Sequence, residues 1–589
     1  MPSEKQIEEF LWEAKDAKII SVDTETTGLN IYDGRDFLTG ISIAFKGETG
    51  LKSMYFPFRH PSNNIDRKWL RHVKWIIEHV PWIAYHHAKF DIASLQTIGI
   101  YHEGRFYDSQ IMANLINELK PFAKSLDALC RHYLGPGIHK EMHPTLRLMI
   151  NTMGWGGIPG DVMYAYADND AVITYLLVEH LLPLLKKELD GDMSVWVTKQ
   201  KMVRLLIKMK QRGVRVDIEA CQRGFNRATE EMAEAEMAIG FTPTPSKIGD
   251  YFIKKLGLPV LKYTKGGKPS FTSMLLDEYE QMVERINPND NVVQEILRYR
   301  GWQKTKASFY GAWMEHVSPD GRLRPDYVMH KDPDDGGTTT GRLSCREPNL
   351  QQIPRISTKE WHKDVKPALI PADGYVLIEA DYSQLELRLS AAYSGESSLI
   401  RVFREGRDIF DEMSMRMGLT RDKTKTFVYS TQYGAGIKRL MDVFGVNKAG
   451  AQQMRDTYFA AYPKMHAFGK SASARVRQTG KIRIWSGRYR HFLDKDAENH
   501  KAMNACIQGG AADIVENIMV KCFETFDHDE ECRMLMQIHD AIVFEVRKDK
   551  FAEYLPKIVS TMESVNEIAD FGVPFSVDAH YWGTKEKLN

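Results

Sequence analysis

The sequence is poor in cysteine pairs, in net charge and in long apolar runs. Its six cysteines are scattered without a CxxC pair, which argues against a structural zinc site and a secreted disulfide framework. The formal net charge is only +1, so any nucleic-acid surface has to be a local patch. No stretch reaches the ~18 apolar residues of a membrane span, and residues 1–18 are too charged for a signal peptide. These absences predict a protein of a reducing compartment, the cytoplasm, with no membrane partner. The length of 589 residues is too great for a single core and predicts three or four structural domains.

Two acidic residues stand at predicted strand ends. The apolar run Val376–Ile378 leads into Asp381, and a helix pattern follows. Further along, two apolar runs within Met534–Val546 are separated by two residues, and this spacing predicts a tight hairpin with Asp540 at its tip. Two such carboxylates can bind two divalent ions ~4 Å apart, and hard oxygen ligands suit Mg²⁺. Either stretch alone also fits a buried strand with a solvated end.

A third pattern lies between them in the chain. Arg421, Lys425, Tyr429 and Tyr433 are spaced four residues apart, so on a helix they form one stripe. Two cations followed by two aromatic rings can hold a triphosphate at one end and stack a base at the other. The same spacing also fits an amphipathic surface helix.

The N-terminal part carries a separate set of acids. Asp23 and Glu25 are two residues apart on a predicted strand, so their side chains share a face. Asp91 follows, and then Asp168, with Tyr164 one helical turn before it. Four carboxylates and a tyrosine form the inventory of a second metal site, although any one of these acids alone also fits a cap or a solvated position.

These stretches resemble a known family. DYSQLELR, RDKTKTFVYSTQYG and QIHDAIVFEV are similar to the three polymerase motifs of family A DNA polymerases, the group of bacterial DNA polymerase I and its phage relatives. TGRLSCREPNLQQIP (Thr340–Pro354) and NACIQGGAADIV (Asn504–Val515) resemble two further blocks of that family. The N-terminal acids resemble its 3′–5′ proofreading exonuclease module. Because so few residues precede the first predicted strand, the family's 5′-nuclease domain is not expected.

The resemblance implies an α/β multidomain fold, with a ribonuclease H-like 3′–5′ exonuclease domain followed by a right-hand polymerase of palm, fingers and thumb. The expected boundaries are 1–186 for the exonuclease domain, 187–325 for the thumb, 326–400 for the first part of the palm, 401–498 for the fingers and 499–589 for the second part of the palm. A run of cations without acids, from Lys199 to Arg215, predicts a DNA-backbone clamp or, alternatively, a solvated helix face.

The resemblance also implies roles for individual residues. The expected catalytic and metal-binding groups are Asp381, Asp540 and the backbone carbonyl of Tyr382 in the palm, and Asp23, Glu25, Asp91 and Asp168 in the exonuclease domain. Tyr164 would position the attacking water. Each active site is expected to bind two Mg²⁺ ions, which Mn²⁺ can replace. The residues expected to bind primer, template or dNTP are Arg421, Lys425, Tyr429, Tyr433, Glu386, His539, Gln384, Arg342, Asn349, Gln351, Asn504 and Gln508.

Two positions and three departures from the family pattern carry specific expectations. Glu386 occupies the sugar-gate position and should exclude a ribose 2′-OH. Tyr429 stands where bacterial enzymes usually have Phe, and its hydroxyl should favour acceptance of dideoxynucleotides. His87 replaces a usual Asn, Ala541 a usual Glu and His500 a usual Arg. These three changes predict modest kinetic effects, and for His87 an altered pH dependence.

The predicted function is DNA-templated extension of a primer 3′-OH with dNTPs by two-metal-ion phosphoryl transfer, together with 3′–5′ proofreading. The expected partners are primer–template DNA and dNTPs, the expected state is a monomer, and the pattern favours phage-type replication in a host cytoplasm. The alternative is a 3′–5′ exonuclease on a catalytically weak polymerase scaffold. A single-subunit RNA polymerase is less favoured because it lacks a proofreading module and a glutamate sugar gate. A non-catalytic binding protein has no use for two sets of metal-type carboxylates.

Overall fold

The computed structural model describes residues 1–138, 142–333, 336–355, 359–527, 530–584 and 586–588. Over these ranges the chain is a mixed α/β structure with two larger β-sheets, each in its own hydrophobic core. Helices dominate residues 194–316 and 385–479. Among the described helices, none combines the length and the apolar composition that crossing a membrane requires.

Five of the described strands form the N-terminal sheet, which packs against helices. The strands are β1 (Ile19–Thr26), β2 (Leu38–Gly47), β3 (Gly50–Pro57), β4 (Trp82–Tyr85) and β5 (Arg105–Asp108). The helices are α1 (Glu4–Ala14), α2 (Leu70–His79), α3 (Ala88–Gln96), α4 (Ser109–Ile116), α5 (Leu126–Tyr133), α6 (Pro144–Met153) and α7 (Gly160–Glu188). The spatial order is β3-β2-β1-β4-β5, with β1 antiparallel to β2 and parallel to β4.

The central strand β1 presents two different faces. Ile20 and Val22 are fully buried on one face. Side chains alternate along a strand, so Asp23 and Glu25 lie on the other face together with Ser21. The Ser21 hydroxyl donates to the backbone carbonyl of Ala171 in α7 at 2.6 Å. Helix α7 therefore lies over the face of the sheet that carries the two acids.

A single helix, α8 (Ser194–Arg212), joins this region to the rest of the chain. Val203 and Ile207 of α8 belong to the N-terminal core, whereas Met202 and Leu206 belong to the second core. All four side chains are at most 2% exposed. A helix that is apolar on two sides has to be buried between two layers, and α8 is the layer that these two cores share.

Two cations of α8, Lys199 and Arg212, make buried contacts within the protein, so the predicted DNA clamp is wrong for these two. Lys199 forms an ion pair with Glu516, and both side chains are at most 5% exposed. Arg212 binds the carboxylate of Asp527 at 2.7 Å. Buried charges of this kind have to be paired. These cations therefore fasten α8 to the C-terminal part of the chain, and the alternative of a solvated face is wrong for them as well.

The chain next builds a helical region with its own small core. Its elements are β6 (Val214–Arg215), α9 (Ile218–Ile239), α10 (Pro245–Gly249), α11 (Ser273–Ile286), α12 (Val292–Thr305), α13 (Ala312–His316) and β7 (Arg322–Leu323). Helices α9 and α12 pack along each other. Phe252 and Tyr279 stack at 4.7 Å between ring centroids within the small core. Strands β6 and β7 pair and close the region onto the second sheet's core.

The first strand of the second sheet follows, and after it a run of helices. The elements are β8 (Asp326–Val328), β9 (Ser344–Arg346), α14 (Glu360–Lys363), β10 (Tyr375–Tyr382) and α15 (Leu385–Ser394). The first strand of the second sheet is β10. The helical run that follows is α16 (Ser397–Arg404), α17 (Ile409–Met417), α18 (Arg421–Gln432), α19 (Ile437–Phe444), α20 (Lys448–Ala461) and α21 (Pro463–Thr479). Its buried side chains form a third core, to which Leu387 and Ala391 of α15 also contribute.

The last part of the chain completes the second sheet. Its elements are β11 (Lys481–Arg483), β12 (Tyr489–His491), α22 (Lys495–Glu498), α23 (Ala502–Phe526), β13 (Cys532–Ile538), β14 (Ala541–Arg547), α24 (Phe551–Glu563), α25 (Val565–Ile568) and β15 (Val577–Tyr581). Four of the described strands pair in the order β13-β14-β10-β15. The neighbours of β10 are both antiparallel to it.

The hairpin of β11 and β12 docks onto the N-terminal region through an ionic cluster. His491 Nδ1 lies 2.8 Å from Glu118, and Nε2 lies 3.2 Å from Glu188. Arg490 also binds Glu118 at 2.7 Å, and Lys481 binds Glu188 at 2.6 Å. Burial opposes a charge on His491, but the two carboxylates outweigh burial and raise its pKa from the ordinary 6.5 to about 9.

We expect this cluster to make stability pH-dependent. A histidine with a raised pKa in the folded protein contributes stability that is complete below pH 6.5 and is lost as the pH rises through about 9. Thermal unfolding of wild type and His491→Gln between pH 6 and pH 10 measures this. The melting temperature of wild type should exceed that of the variant at pH 6, and the gap should close toward pH 10. A constant gap over the whole range contradicts the prediction.

Candidate active sites

The predicted hairpin is confirmed, and it brings Asp540 beside Asp381. His539 and Asp540 are the two residues that connect β13 and β14, and His539 adopts a left-handed backbone with φ of 57°. Across the sheet, Asp381 at the end of β10 is paired with Ala541. The Tyr382 N–H donates to the backbone carbonyl of Asp540 at 3.4 Å. The two carboxylates therefore stand at adjacent strand ends.

The electrostatics of Asp381 reflect this arrangement. Burial is the main cause that raises the pKa of Asp381 to about 6, and the negative charge of Asp540 raises it further. Two acids that destabilise each other's charge are a donor set that a cation stabilises. The structure thus brings Asp381 and Asp540 together. The metal-binding role of the Tyr382 carbonyl stays a prediction.

Arg342 and Glu386 lie next to this carboxylate pair. Arg342 Nη2 contacts Glu386 Oε1 at 2.8 Å and Asp540 Oδ1 at 3.4 Å. The Tyr433 hydroxyl donates to Glu386 Oε2 at 2.7 Å. Glu386 is 5% exposed, and burial raises its pKa against the opposing effect of its two partners. Glu386 is therefore held from two sides, with its bulk beside Asp540.

The predicted stripe of cations and aromatic rings is confirmed on α18. Arg421 begins the helix, Tyr433 caps its C-terminal end, and the rings of Tyr429 and Tyr433 lie 6.1 Å apart. Burial and the charge of Glu386 raise the pKa of Tyr429 to about 12, so its hydroxyl keeps its proton. The Lys425 side chain is exposed. The stripe therefore runs from solvent at the helix start to the Glu386 contact at its end.

The first cation of the stripe has partners within the chain. Arg421 forms an ion pair with Asp408 and contacts Asp411 at 3.2 Å. About half of the Arg421 side chain is exposed. Exposed pairs of this kind are worth only ~0–1 kcal/mol, so an anion with several charges can displace these carboxylates.

Asn349 and Gln351, also predicted to bind substrate, are connected to the hairpin that carries Asp540. The Asn349 side chain accepts from the Gln351 N–H at 3.0 Å, and the Gln351 amide donates to Gln537 Oε1 at 2.6 Å. The Gln537 amide in turn donates to the backbone carbonyl of His539. This chain of contacts connects the Asn349 turn to the carboxylate-bearing hairpin.

Three further predicted residues lie at the start of α15 and on α23. Gln384 has a left-handed backbone, with φ of 55°, and precedes α15. Asn504 and Gln508 are half-buried and one turn apart on α23. Asn504 Oδ1 is buried without a hydrogen-bond partner among the described residues. The side-chain oxygen of Asn504 is thus a buried acceptor without a donor in the described part of the chain.

The N-terminal acids form a second cluster, with one change from the prediction. Carboxylate oxygens of Asp23, Glu25 and Asp170 all lie within 4.8 Å of one another. Asp91 Oδ1 accepts from the N–H and the hydroxyl of Thr24, at 3.0 and 2.7 Å. Burial, and after it the charge of Asp23, raise the pKa of Asp91 well above its ordinary value. Four acids thus converge on β1.

The predicted Asp168 is not in this cluster, and Asp170 takes its place. Asp168 Oδ2 accepts from Ser53 on β3 at 2.8 Å, away from β1. Two residues along a helix correspond to a rotation of about 200°, so Asp168 and Asp170 face different ways. The prediction of Asp168 as a metal ligand is therefore corrected to Asp170.

The correction extends to the tyrosine. Tyr164 packs against Tyr55 at 6.0 Å between ring centroids, next to Asp168. Tyr166 stands one turn before Asp170 on α7 and is buried on the same face. The periodicity of α7 could have separated the two tyrosine–aspartate pairs. The buried positions of this helix include Met163, Tyr166, Asp170 and Ile173 but not residues 164 and 168.

His87 borders the N-terminal cluster. It has a left-handed backbone, with φ of 72°, at the start of α3. Burial, and after it the charge of Lys89, lower the pKa of His87 to about 3. At neutral pH the ring is therefore uncharged and offers one hydrogen-bond donor and one acceptor.

Two known protein families match parts of this chain. Residues 213–585 match the family described as DNA polymerase family A, and residues 2–186 match the one described as 3′-5′ exonuclease. The first match covers more than half of the chain. Each matched region contains one of the two carboxylate clusters. The chain belongs to DNA polymerase family A.

The relatives are distant but extensive. DNA polymerase I of Pseudomonas aeruginosa is 27% identical over 97% of this chain and 64% of its own length. Thermostable DNA polymerase I of Thermus aquaticus is 30% identical over 68% of this chain and 50% of its own length. The chain thus spans less than two thirds of the curated relatives it matches.

A solved structure shares the fold. The POL domain of Pol1 from M. smegmatis, in complex with DNA primer-template and dNTP, superposes with a TM-score of 0.82 at 21% identity. The match covers 99% of this chain and 98% of that domain. At this identity, the likeness shows a common fold.

Proposed function

We propose that this chain is a DNA-templated DNA polymerase with a 3′–5′ proofreading exonuclease. The observation that carries the proposal is the pairing of Asp381 and Asp540 at adjacent strand ends, next to the Glu386 contact at the end of α18. Membership of DNA polymerase family A and the DNA and dNTP named with the M. smegmatis structure support the same substrates. Phage-type replication and a monomeric state stay predictions.

In the proposed polymerase centre, Asp381 and Asp540 hold divalent ions, Mg²⁺ or Mn²⁺. Their fit rests on the donor set, because two mutually repelling carboxylates are hard oxygen ligands at one place. When bound, such ions lower the pKa of the primer 3′-OH and neutralise charge on the triphosphate. The Tyr382 carbonyl is proposed as a further ligand.

The side chains around the carboxylates bind and orient the substrates. Arg421 and Lys425 brace the triphosphate, and the phosphates replace Asp408 as the partner of Arg421. Tyr433 and Arg342 hold Glu386 against the position of the sugar. Tyr429 lines the base side of the same stripe. The remaining substrate contacts are assigned to Gln384, His539, Asn349, Gln351, Asn504 and Gln508.

In the proposed exonuclease centre, Asp23, Glu25, Asp91 and Asp170 hold divalent ions of the same kind. Asp23, Glu25 and Asp170 fit such ions because their carboxylate oxygens lie within 4.8 Å of one another. Tyr166, one turn before Asp170, orients the attacking water. Neutral His87 serves as a hydrogen-bonding group for the DNA strand.

Extension of a labelled primer–template with Mg²⁺, with and without dNTPs, tests the proposed function. We expect wild type to extend the primer when dNTPs are present and to shorten it when they are absent. Chelation of the divalent ions should stop both reactions. A chain that shortens primers but never extends them would support the alternative, a 3′–5′ exonuclease on a weak polymerase scaffold.

Removal of the Glu386 side chain should relax sugar selection. Glu386→Ala opens the space beside Asp540, so discrimination against ribonucleotides should fall by about 100-fold, the scale at which a pocket rejects one added group. Single-nucleotide incorporation of rNTP and dNTP measures the ratio. Glu386→Gln is the control, because it keeps the bulk and removes the charge. Unchanged discrimination in Glu386→Ala refutes the sugar-gate assignment.

A further inference from the structure

The hairpin of β11 and β12 carries a buried arginine that reaches the loop before Arg342. Arg488 Nε donates to both carboxylate oxygens of Asp513 on α23, at 2.8 and 2.9 Å. Arg488 Nη2 donates to the backbone carbonyl of Thr340 at 2.6 Å and to that of Gly509 at 3.1 Å. One guanidinium thus joins the hairpin, α23 and the loop that precedes Arg342.

The loop has little freedom at Gly341, which lies between Thr340 and Arg342. The φ of Gly341 is +89°, a region that favours glycine. A Cβ on this residue would lie 2.5 Å from Arg488 Nη2. Two features therefore restrict the backbone before Arg342. One is the positive φ of Gly341, and the other is the Arg488 guanidinium that packs against this residue.

Arg342 is the residue through which this loop reaches the proposed polymerase centre. Its guanidinium bridges Glu386 and Asp540, at 2.8 and 3.4 Å. Only Gly341 separates it from the carbonyl that Arg488 holds. A shift of that carbonyl therefore moves Arg342 relative to the sugar gate and to a proposed metal ligand.

The hairpin is a fixed base for Arg488. Strand β12 is held by the ionic cluster in which Arg490 and His491 bind Glu118 of the N-terminal region. The turn between β11 and β12 is held by Asp513, which accepts hydrogen bonds from Arg488 and from Ser486. Arg488 is 6% exposed, so these contacts form away from solvent screening.

We propose that Arg488 is a positioning residue for the polymerase centre: it holds the Thr340 carbonyl so that Arg342 spans Glu386 and Asp540. This inference rests on the proposed polymerase function. Arg488 acts through Arg342 and not by contact with the substrate. A planar guanidinium is suited to this task because it can bind a carboxylate and two carbonyls at fixed angles.

The test is Arg488→Lys in the full-length protein. Lysine keeps a positive charge beside Asp513, but one amine cannot reproduce the contacts to the carboxylate and both carbonyls. Nucleotide addition to a labelled primer–template should fall on the order of 10- to 100-fold, the cost of a small misplacement at a reacting centre. Degradation of single-stranded DNA from its 3′ end should stay at the wild-type rate and report that the protein is folded.

A double-mutant cycle with Arg342→Ala separates positioning from a general structural role. In the Arg342→Ala background, Arg488→Lys should cause little further loss, because the residue through which it acts is already missing. Arg483→Lys is the matched control, since Arg483 lies in the same hairpin and makes a half-exposed pair with Asp190 at 3.4 Å. It should add nucleotides at the wild-type rate.

The outcomes are distinct. Wild-type addition by Arg488→Lys overturns the inference, as does a loss that multiplies with that of Arg342→Ala. An equal loss of nucleotide addition and 3′-end degradation assigns Arg488 to folding alone and overturns it as well. Failure of wild type to extend a primer, with single-stranded DNA still degraded, is instead a failure of the proposed polymerase function.

Discussion

Asp381→Asn and Asp540→Asn should each lower nucleotide addition by about 10³-fold, because each removes a charge worth several kcal/mol at the proposed metal centre. The two acids stand at adjacent strand ends, and the charge of Asp540 contributes to the raised pKa of Asp381. Primer extension under single-turnover conditions measures the loss. Degradation of single-stranded DNA should continue in both variants, because its proposed carboxylates cluster at β1 of the N-terminal region.

Asp578→Asn provides a matched control for this prediction. Asp578 lies on β15 directly across from Asp381, but Lys587 and Ser383 already bind its carboxylate. We expect its removal to have little effect on nucleotide addition. If Asp381→Asn extends primers as well as Asp578→Asn does, the metal-binding role of Asp381 is wrong.

Asp170→Asn should lower 3′–5′ degradation of single-stranded DNA by about 10³-fold, whereas Asp168→Asn should retain most of the activity. The two acids are two residues apart on α7, yet only Asp170 lies with Asp23 and Glu25. Asp168 instead accepts a hydrogen bond from Ser53. The comparison is sensitive because both variants replace an aspartate by asparagine on the same helix. The two positions differ only in the direction in which the side chain points.

The same assay decides between the two tyrosines. Tyr166→Phe should slow degradation, whereas Tyr164→Phe should not, because Tyr164 packs against Tyr55 beside Asp168. Nucleotide addition in the same preparations reports that each variant is folded. Loss of degradation in Asp168→Asn together with a normal rate in Asp170→Asn would restore the assignment made from the sequence.

Local patterns in the sequence predicted the elements of the proposed polymerase centre well. The hairpin that carries Asp540 and the helix that carries the stripe from Arg421 to Tyr433 are both present. Each depends on neighbours within a few residues, on turn chemistry in the first case and on helical spacing in the second. Which residues face each other across elements, such as Tyr433 and Glu386, is not contained in such patterns.

The choice of Asp168 shows where a local pattern is ambiguous. The spacing of tyrosine followed four residues later by aspartate occurs twice in this stretch, at Tyr164 and Asp168 and again at Tyr166 and Asp170. Spacing alone cannot separate the two pairs. Only the apolar positions of α7 define the face that packs on β1, and Asp170 lies on that face.

The basic run on α8 could not be interpreted from its own sequence. Lys199 pairs with Glu516 and Arg212 with Asp527, residues more than 300 positions away. A cation on a helix has the same sequence signature whether it binds a phosphate or a distant carboxylate. The partner is determined by tertiary structure, so the DNA-clamp prediction is wrong for Lys199 and Arg212.

The shared helix α8 also limits how this chain can be divided. Val203 and Ile207 complete one core and Met202 and Leu206 complete the other. A fragment that keeps α8 exposes one of its two apolar stripes to water. A fragment that omits α8 exposes the core residues that this helix covers. Either fragment should therefore tend to self-associate. The two regions that carry the carboxylate clusters therefore cannot be exchanged or separated independently. Recombination or truncation near residue 190 would have to redesign a surface as well as cut a connection.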